Sequence, residues 1–389
     1  MELDELRGEH VGMLVSGGLS CVAVAAWLAE CGVDVTCFVA DLGQSAPLPP
    51  AELVTLLGRQ GLKAKLVDLR REMAELYVDV LRYQASYEGG YWNTTGASRA
   101  VLVAGLADTL RASGCTVLAH ACVGGGNDQA RFARYGAAIA PDLRVFTPWT
   151  SRFMLDRFQN RADMSRYLTE IGYPAEIADY ATYSIDGNLG GFSHESDELE
   201  GLGTSAQAVR PLMTAWPQRA PDLVEDFEVR FERGRPVAVN GRPVSALEAV
   251  LAANDAGGRN GLSIQTVVEN RVNGTKCRGT YEAPGLELLG RCLTALYQVS
   301  LDKAATELMR TLSVRLGRAV YEGRLRETDT VAAASAADTL TATATGTVQV
   351  GLYKGNVIFQ GLTDLVDTPG TARQTRFSNG GHAWHVLPV

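Results

Sequence analysis

Two short glycine-containing stretches hold the residue types best suited to chemistry. The first, SGGLSCV, places Ser16, Gly17 and Gly18 after the apolar run VGMLV and before the helical text CVAVAAWLAECG. A strand that turns on glycines into a helix leaves the first helical amides free, with the positive end of the dipole facing outward. Such a backbone can approach an anion closely. No G-x-x-x-x-G-K-S/T pattern is present, so this is not a Walker-type loop. An S-G-G turn alone serves a phosphate site or a sterically demanded turn equally well. The second stretch, ACVGGGNDQARF, runs three glycines together and follows them with Asn127, Asp128, Gln129 and Arg131. Consecutive glycines cost backbone entropy, and dense donors of both charge signs suit ligand capture. The alternative is a solvated loop with an Asp128–Arg131 surface pair.

These loops need a scaffold that gathers them. Strand-like runs VGMLV, DVTCFVA, AKLVDL, CTVLAHA and LRVFTP alternate with helical text such as ASRAVLVAGLADTLRASG, which closes at Gly114. The alternation predicts an α/β fold, a mostly parallel sheet with helices on both faces. Ligands of such sheets bind at the carboxyl ends of the strands. The loops SGGLSC, VADLGQ and HACVGGGNDQARF all follow strands and so share that edge.

After TPWTSRF the character changes. The helical text RADMSRYLTEIGYP ends at Gly172 and Pro174, and YSIDGNLGGFSHESDELEGLG is polar with little periodicity. A hairpin is predicted to turn at Glu232, Arg233, Gly234 and Arg235, and a second turn at Asn240 and Gly241 leads into a helix. SIQTVVENRV reads as a strand, residues 286–323 as strongly helical, and residues 330–346 as a helix followed by the entry to a strand. The run TGTVQVGLYKGNVIFQG reads as a hairpin with Gly355 and Asn356 at its turn. The boundary is placed near residue 170, giving a nucleotide-binding part (1–170) and a second α+β part (171–389).

Composition narrows the function classes. The chain has 389 residues, 46% hydrophobic and 21% charged, with a formal net charge of -8. That balance gives nucleic-acid binding no electrostatic support. No apolar run approaches the roughly 20 residues that span a bilayer, and the start MELDELRGEH lacks the apolar core of a secretory signal. A cytoplasmic protein without membrane association is expected. The seven cysteines are scattered without a C-x-x-C pair, so reduced thiols are expected rather than disulfides or structural zinc. His382 and His385 in the tail lack a third ligand, and docking of Trp384 is the favoured reading there.

The fragments SGGL, VADLGQ, YEGGYWNTTGASRA, GGGNDQARF, IAPDLRVFTPW, YSIDGNL, VENRVNGTKCRGTYEAP and LYKGN occur in this order from about residue 11 to 361. Their order and spacing resemble the argininosuccinate synthase family, adenylating ligases of the ATP-pyrophosphatase class. The resemblance implies an adenine nucleotide alpha hydrolase-like sheet, a synthetase domain, and a homo-oligomer (tetramer or dimer). It implies ATP and Mg²⁺ as cofactors, with small-molecule amino-acid substrates as the other partners. In that reaction the ureido oxygen of citrulline attacks the α-phosphate of ATP, and the amine of aspartate then displaces AMP. Alignment of reactants and stabilisation of phosphate charge carry most of the catalysis.

Carried over by position, the ATP site comprises Ser16, Gly17, Gly18, Ser20, Ala40 and Gly124. The citrulline pocket comprises Tyr91, Asn127, Arg131, Ser184, Ser193, Glu269 and Tyr281, with Glu269 pairing the α-ammonium and Arg131 the α-carboxylate. Aspartate falls to Val123, Asn127 and Asp128, with Asn127 and Asp128 as the catalytic pair and Asp128 receiving the attacking amine. No resident metal ligand is implied.

The departures concentrate at the reactive rim. The family's S-G-G-L-D-T-S is here SGGLSCV, which replaces a carboxylate by Ser20 and two hydroxyls by Cys21 and Val22. Each lost donor to a phosphate is worth about 1.5–3 kcal/mol. The family's G-A-T-G-K-G-N-D is ACVGGGND, with Val123 for Thr and Gly125 for Lys, which suits a dianionic amino acid less well. Gly96 stands where the family has a pocket serine, and Trp92 and Asn93 replace aliphatic residues. The tail lacks the family's long helix. Three readings therefore compete: the parent reaction, a paralogue with another acceptor and amine, and a catalytically impaired binding or regulatory protein.

Overall fold

The computed structural model describes residues 1–44, 48–122, 125–178, 184–195 and 197–366. A turn of helix, α1 (Leu3–Leu6), precedes β1 (His10–Leu14), α2 (Leu19–Glu30), β2 (Asp34–Asp41), α3 (Pro50–Arg59), β3 (Lys63–Asp68) and α4 (Arg70–Arg82). There follow α5 (Thr94–Ala112), β4 (Val117–Ala119), α6 (Asn127–Ile139), β5 (Arg144–Phe146), α7 (Arg152–Arg157), α8 (Arg161–Glu170) and α9 (Ala175–Ala178). The five strands form one parallel sheet in the order β3-β2-β1-β4-β5.

Side-chain alternation feeds two cores. Val11, Met13, Val35, Cys37 and Val39 join α2, α3 and α8 on one face. Leu14, Phe38 and Leu118 join α4, α5 and α6 on the other. Strands covered on both faces read as unbroken apolar runs, as β1, β2 and β4 do. The helix after β1 packs on one face, whereas the helix after the adjacent β4 packs on the other. The two connecting loops therefore part company and open a crevice at the carboxyl ends of the strands.

The second half contains β6 (Ser184–Asn188), β7 (Gly191–Glu195), β8 (Glu225–Glu232), β9 (Arg235–Val239), β10 (Arg242–Pro243), α10 (Ala246–Arg259), β11 (Ile264–Asn270) and β12 (Lys276–Glu282). It ends with α11 (Pro284–Ser300), α12 (Lys303–Glu322), α13 (Thr328–Thr341), β13 (Gly346–Tyr353) and β14 (Asn356–Thr363). Two antiparallel sheets result, ordered β10-β9-β8-β13-β14 and β11-β12-β7-β6. The long helical text is two helices, because Asp302 accepts a bond from the Ala305 amide and starts α12 afresh. The last hairpin turns on Lys354 (φ 44°) and Gly355 (φ 82°) rather than on Gly355 and Asn356. Two successive left-handed residues give the twist a two-residue hairpin requires.

Within the aperiodic stretch lies the hairpin β6–β7. Four of the five residues of β7 are buried, so no alternation marks it. Its turn is bolted to the first half. Tyr77 donates to Asn188 Oδ1 (2.5 Å), Asn188 Nδ2 donates to the Thr94 carbonyl (3.0 Å), and the Leu189 amide donates to the Leu42 carbonyl (2.8 Å). One apolar core runs from Tyr77, Trp92 and Leu106 to Phe231, Leu289 and Leu293, joining the halves. No described helix is long and apolar enough to cross a membrane. The tail with His382, Trp384 and His385 lies outside the described residues.

Candidate active site

The crevice is lined first by the turn after β1. Gly17 has φ +85°, a left-handed backbone in which a side chain would be strained, and a Cβ there would press on Leu53 at 3.2 Å. Gly18 is the N-cap of α2 and has no side chain to cap it. The amides that open α2, including that of Ser20, therefore have no acceptor within the helix. Ser16 and Gly18 are exposed. Free helix-opening amides on a glycine turn can approach an anion closely. The Cys21 thiol donates to the Gly18 carbonyl (3.0 Å) and lies 3.4 Å from the Ser16 amide, pinning the turn from inside. Val22 is fully buried in the core. The expectation that positions 21 and 22 present groups to an anion is corrected: both side chains turn inward.

The loops after β2 and β4 form the other walls. Gln44 ties its loop by accepting from the Leu42 amide (2.7 Å) and donating to the Ala40 carbonyl (3.1 Å). Beyond β4, the Cys122 amide donates to His120 Nδ1 (3.2 Å), which leaves Nε2 to carry the proton and face Thr147. Burial lowers His120 to about 4 and keeps it neutral. Val123 and Gly124 lie outside the described residues. Gly126 then caps α6, which begins with Asn127 and Asp128.

Beside the crevice, strand register builds a pocket. In the sheet β11-β12-β7-β6, Glu269 lies opposite Cys277, Gly279 opposite Glu195, Tyr281 opposite Ser193, Ser193 opposite Asp186, and Ser184 opposite Glu195. Directly paired residues share a face and alternate residues return to it. One sheet face thus carries Glu269, Tyr281, Glu195, Ser193, Asp186 and Ser184. Opposite stand α5, α6, α12 and Tyr91. The Tyr91 ring packs on Tyr281 at 4.2 Å and edge-on to Tyr321 at 6.4 Å. Tyr91 Oη accepts from the Thr95 amide (2.9 Å), while Ser193 and Thr95 share a hydroxyl bond of 3.2 Å.

Asn127 bridges three elements. Its Nδ2 donates to Tyr321 Oη (2.8 Å), and its Oδ1 accepts from the Val272 amide (2.8 Å). Tyr321 donates in turn to Glu269 Oε1 (2.6 Å), while Glu269 Oε2, in a side chain 3% exposed, has no hydrogen-bond partner among the described residues. A buried carboxylate oxygen left unpaired is costly, and a ligand donor would satisfy it. Burial raises the Glu269 carboxyl above its ordinary range.

Asp128 and Arg131 do pair, at 2.8 Å, but not on the surface: the Arg131 side chain is 3% exposed. The second oxygen of Asp128 accepts from Arg99 (3.0 Å), which also pairs with Asp186. Burial alone would raise the Asp128 carboxyl, yet the two guanidiniums outweigh it and hold the carboxyl well below the usual range. Arg131 Nε donates to the Tyr321 carbonyl (2.6 Å), and its guanidinium stacks on that ring at 4.8 Å. Both residues are thus tied to protein partners as well as facing the pocket.

The structure gathers Tyr91, Asn127, Asp128, Arg131, Ser193, Glu269 and Tyr281 into one cluster, with Ser16, Gly17, Gly18 and Ser20 on the separate glycine turn. Sequence reasoning missed Tyr87, Thr95, Arg99, Asp186, Glu195 and Tyr321. Period-two register in GFSHE, which carries Ser193, would have found Glu195. The odd residues at 92, 93 and 96 also have structural reasons. Trp92 donates to Glu287 (2.8 Å), and Asn93 adopts φ +57° while its amide reaches the Ala85 and Gly317 carbonyls. At Gly96 a Cβ would lie 2.9 Å from the Val320 carbonyl, so the glycine admits α12 and with it Tyr321.

Residues 10–174 match the family described as Arginosuccinate synthase N-terminal HUP domain, and residues 183–365 match Arginosuccinate synthase C-terminal domain. The chain is similar to the argininosuccinate synthase of Desulforamulus reducens, 35% identical over 359 residues covering 91% of this chain and 87% of the relative. That of Idiomarina loihiensis is 35% identical over 351 residues (90% and 86%), and that of Carboxydothermus hydrogenoformans 33% over 361 residues (91% and 88%).

Proposed function

The chain belongs to the argininosuccinate synthase family and is an ATP-dependent carbon–nitrogen ligase; on that premise we propose that it joins citrulline to aspartate. ATP docks its phosphates on the Ser16, Gly17 and Gly18 turn, with Ser20, Ala40 and Gly124 around it. The ureido oxygen of citrulline attacks the α-phosphate and pyrophosphate leaves; the aspartate amine then displaces AMP from the activated carbon. The part before residue 170 supplies the nucleotide turn, and the part after it helps enclose the amino acid together with Tyr91, Asn127 and Arg131.

The single observation that carries this reading is the buried Glu269 Oε2, without a hydrogen-bond partner among the described residues, on the sheet face that also carries Tyr281 and Ser193. The family places the acceptor's α-ammonium at this carboxylate. Tyr91, Tyr281 and Ser193 form the adjoining walls, and Ser184 stands at the strand end. In this reading Asp128, beside Asn127, receives the attacking amine, with its carboxylate held between Arg99 and Arg131. Val123 stands where the family has a threonine, which takes a hydroxyl from the amine partner's carboxylate.

The donor set fits a nucleotide better than a resident metal. Among the described residues no group of three His, Cys, Asp or Glu side chains could hold a metal ion. Mg²⁺ would ride on the nucleotide phosphates, with Ser20 contributing a hydroxyl where the family has a carboxylate. When bound, it supplies countercharge to the departing pyrophosphate. A homo-oligomer fits the exposed apolar side chains of Val314 on α12 and Phe359 on β14.

The test is isotope exchange between ATP and pyrophosphate, followed by mass analysis of product. Exchange that depends on citrulline, and argininosuccinate that depends on aspartate, are expected. Exchange supported only by another acceptor would point to the paralogue; none with any acceptor would end the ligation reading.

A further inference from the structure

We propose that Tyr321, in the last turn of α12, is a positioning residue for the ligation: its hydroxyl holds the Asn127 amide with Nδ2 on the Glu269 side and steadies the Glu269 carboxylate for the acceptor's α-ammonium. This rests on the acceptor reading above. It adds a residue that the reading does not contain, and the direction in which Asn127 is held.

Hydrogen-bond polarity gives the first argument. A backbone amide can only donate, so the atom of Asn127 that meets the Val272 amide at 2.8 Å is Oδ1. Nδ2 must then face Tyr321 Oη, to which it donates at 2.8 Å. The hydroxyl accepts that bond and has one proton to give, which goes to Glu269 Oε1 at 2.6 Å. Every proton in the chain therefore runs one way, from Val272 to Glu269. The amide cannot flip without breaking two of these bonds. Its second Nδ2 hydrogen meets no acceptor among the described residues and is left for a substrate oxygen.

Placement gives the second argument. The Tyr321 side chain is 1% exposed, its ring stacks on Tyr87 at 3.8 Å, and the Arg131 guanidinium lies 4.8 Å from the ring. Arg131 Nε also donates to the Tyr321 carbonyl at 2.6 Å. Two glycines seat the backbone. At Gly96 a Cβ would lie 2.9 Å from the Val320 carbonyl oxygen, and at Gly323, the left-handed C-cap of α12 (φ +75°), 2.9 Å from Arg131 Cα. With ring and backbone both fixed, the hydroxyl has one place to be. Both of its partners are side chains of the amino-acid pocket, and neither belongs to the apolar core.

The charge on Glu269 follows from the same bond. Burial raises the Glu269 carboxyl, and the Tyr321 hydroxyl is foremost among the groups that hold it down, ahead of Arg131 of α6. Also facing Glu269 are Tyr281 and Cys277 of β12, Glu195 of β7, and Tyr87, Glu88 and Tyr91 ahead of α5. Removing the hydroxyl therefore lets Glu269 take up a proton at higher pH, and a protonated carboxyl no longer pairs an ammonium.

The experiment is calorimetric titration of citrulline into the protein with a non-hydrolysable ATP analogue and Mg²⁺, at a series of pH values, for the parent and for Tyr321→Phe. The variant keeps the ring against Tyr87 and Arg131. Citrulline should bind it about ten- to hundredfold more weakly, as loss of a hydrogen bond to a charged group requires, while affinity for the ATP analogue stays within about twofold. As the pH is lowered, citrulline affinity should begin to fall at a higher pH in Tyr321→Phe than in the parent. A tyrosine that only packs would not move that onset. Asn127→Ala leaves the bond from Tyr321 to Glu269 in place, so it should weaken citrulline binding without moving the onset. Citrulline affinity at the parent's level in Tyr321→Phe, or an onset that stays where it is, would overturn the assignment. So would unaltered citrulline affinity in Asn127→Ala. Failure of the parent to bind citrulline would instead overturn the acceptor reading beneath it.

Discussion

Restoring the family's serine at position 96 is expected to harm this protein. A β-carbon at Gly96 would stand 2.9 Å from the Val320 carbonyl oxygen and 3.4 Å from Tyr321 Cα. The first is backbone and shorter than real side chains tolerate, so α12 must move away from α5. Overpacking of this kind costs about 1–3 kcal/mol. Helix propensity acts the other way, since serine is favoured over glycine inside a helix by roughly 0.5 kcal/mol. Sterics win, leaving a net loss of about 0.5–2.5 kcal/mol. At about 2–4 °C per kcal/mol for domains of 150–250 residues, the melting temperature should fall by roughly 1–10 °C. The displacement also carries Tyr321 away from Glu269 (2.6 Å) and Asn127 (2.8 Å). KM for the acceptor should therefore rise several-fold while KM for ATP stays within twofold. Calorimetric melting and initial-rate kinetics of Gly96→Ser measure both. A variant as stable as the parent, with a lowered acceptor KM, would refute the claim that the glycine exists to admit α12.

Asp128→Asn leaves the guanidiniums of Arg131 and Arg99 without their shared partner, at 3% and 12% exposure. The expected loss is about 3 kcal/mol, near the lower end for a broken buried pair because Asp186 still holds Arg99. The Asp128 carboxyl is depressed in the folded state, so the stability it contributes is present above the unfolded pKa and is lost as pH falls through the folded value. Acid denaturation should accordingly be shallower in Asp128→Asn than in the parent, as followed by circular dichroism. Glu195 has the opposite sign. Its stabilising contribution is present below the unfolded value and is lost as pH rises towards about 7, and Glu195→Gln should flatten that part of the pH–stability curve. Cys21→Ala removes the thiol that pins Ser16 and Gly18. ATP affinity, measured by fluorescence or calorimetry, should weaken about three- to tenfold, at roughly 1 kcal/mol for a lost hydrogen bond, with acceptor binding unchanged. Glu282→Gln disturbs a buried carboxylate that accepts from the Leu212, Met213 and Thr214 amides (2.9, 2.8 and 2.7 Å) and faces His194. A drop of at least 2 kcal/mol in denaturant unfolding is expected.

The sequence by itself determined the parallel sheet, because β1 and β2 are apolar on both faces and glycines mark where they end. It also determined the hairpin at Arg233 and Gly234 and the family, since ordered fragments across the chain survive changes at single positions. Local pattern could not decide the β6–β7 hairpin, whose pairing partner β12 lies some eighty residues away and whose buried residues show no alternation. Nor could it decide what the altered motif residues do. Cys21 looked like a lost phosphate donor until the fold turned its thiol into the loop, and Gly96 looked like a lost hydroxyl until α12 was seen to occupy the space. The pocket charges are the clearest case. Glu195, Glu269, Asp128 and Arg99 come from four separate elements, and burial together with their mutual fields sets which of them carry protons. Those are distances between residues far apart in the chain, and only the folded molecule fixes them.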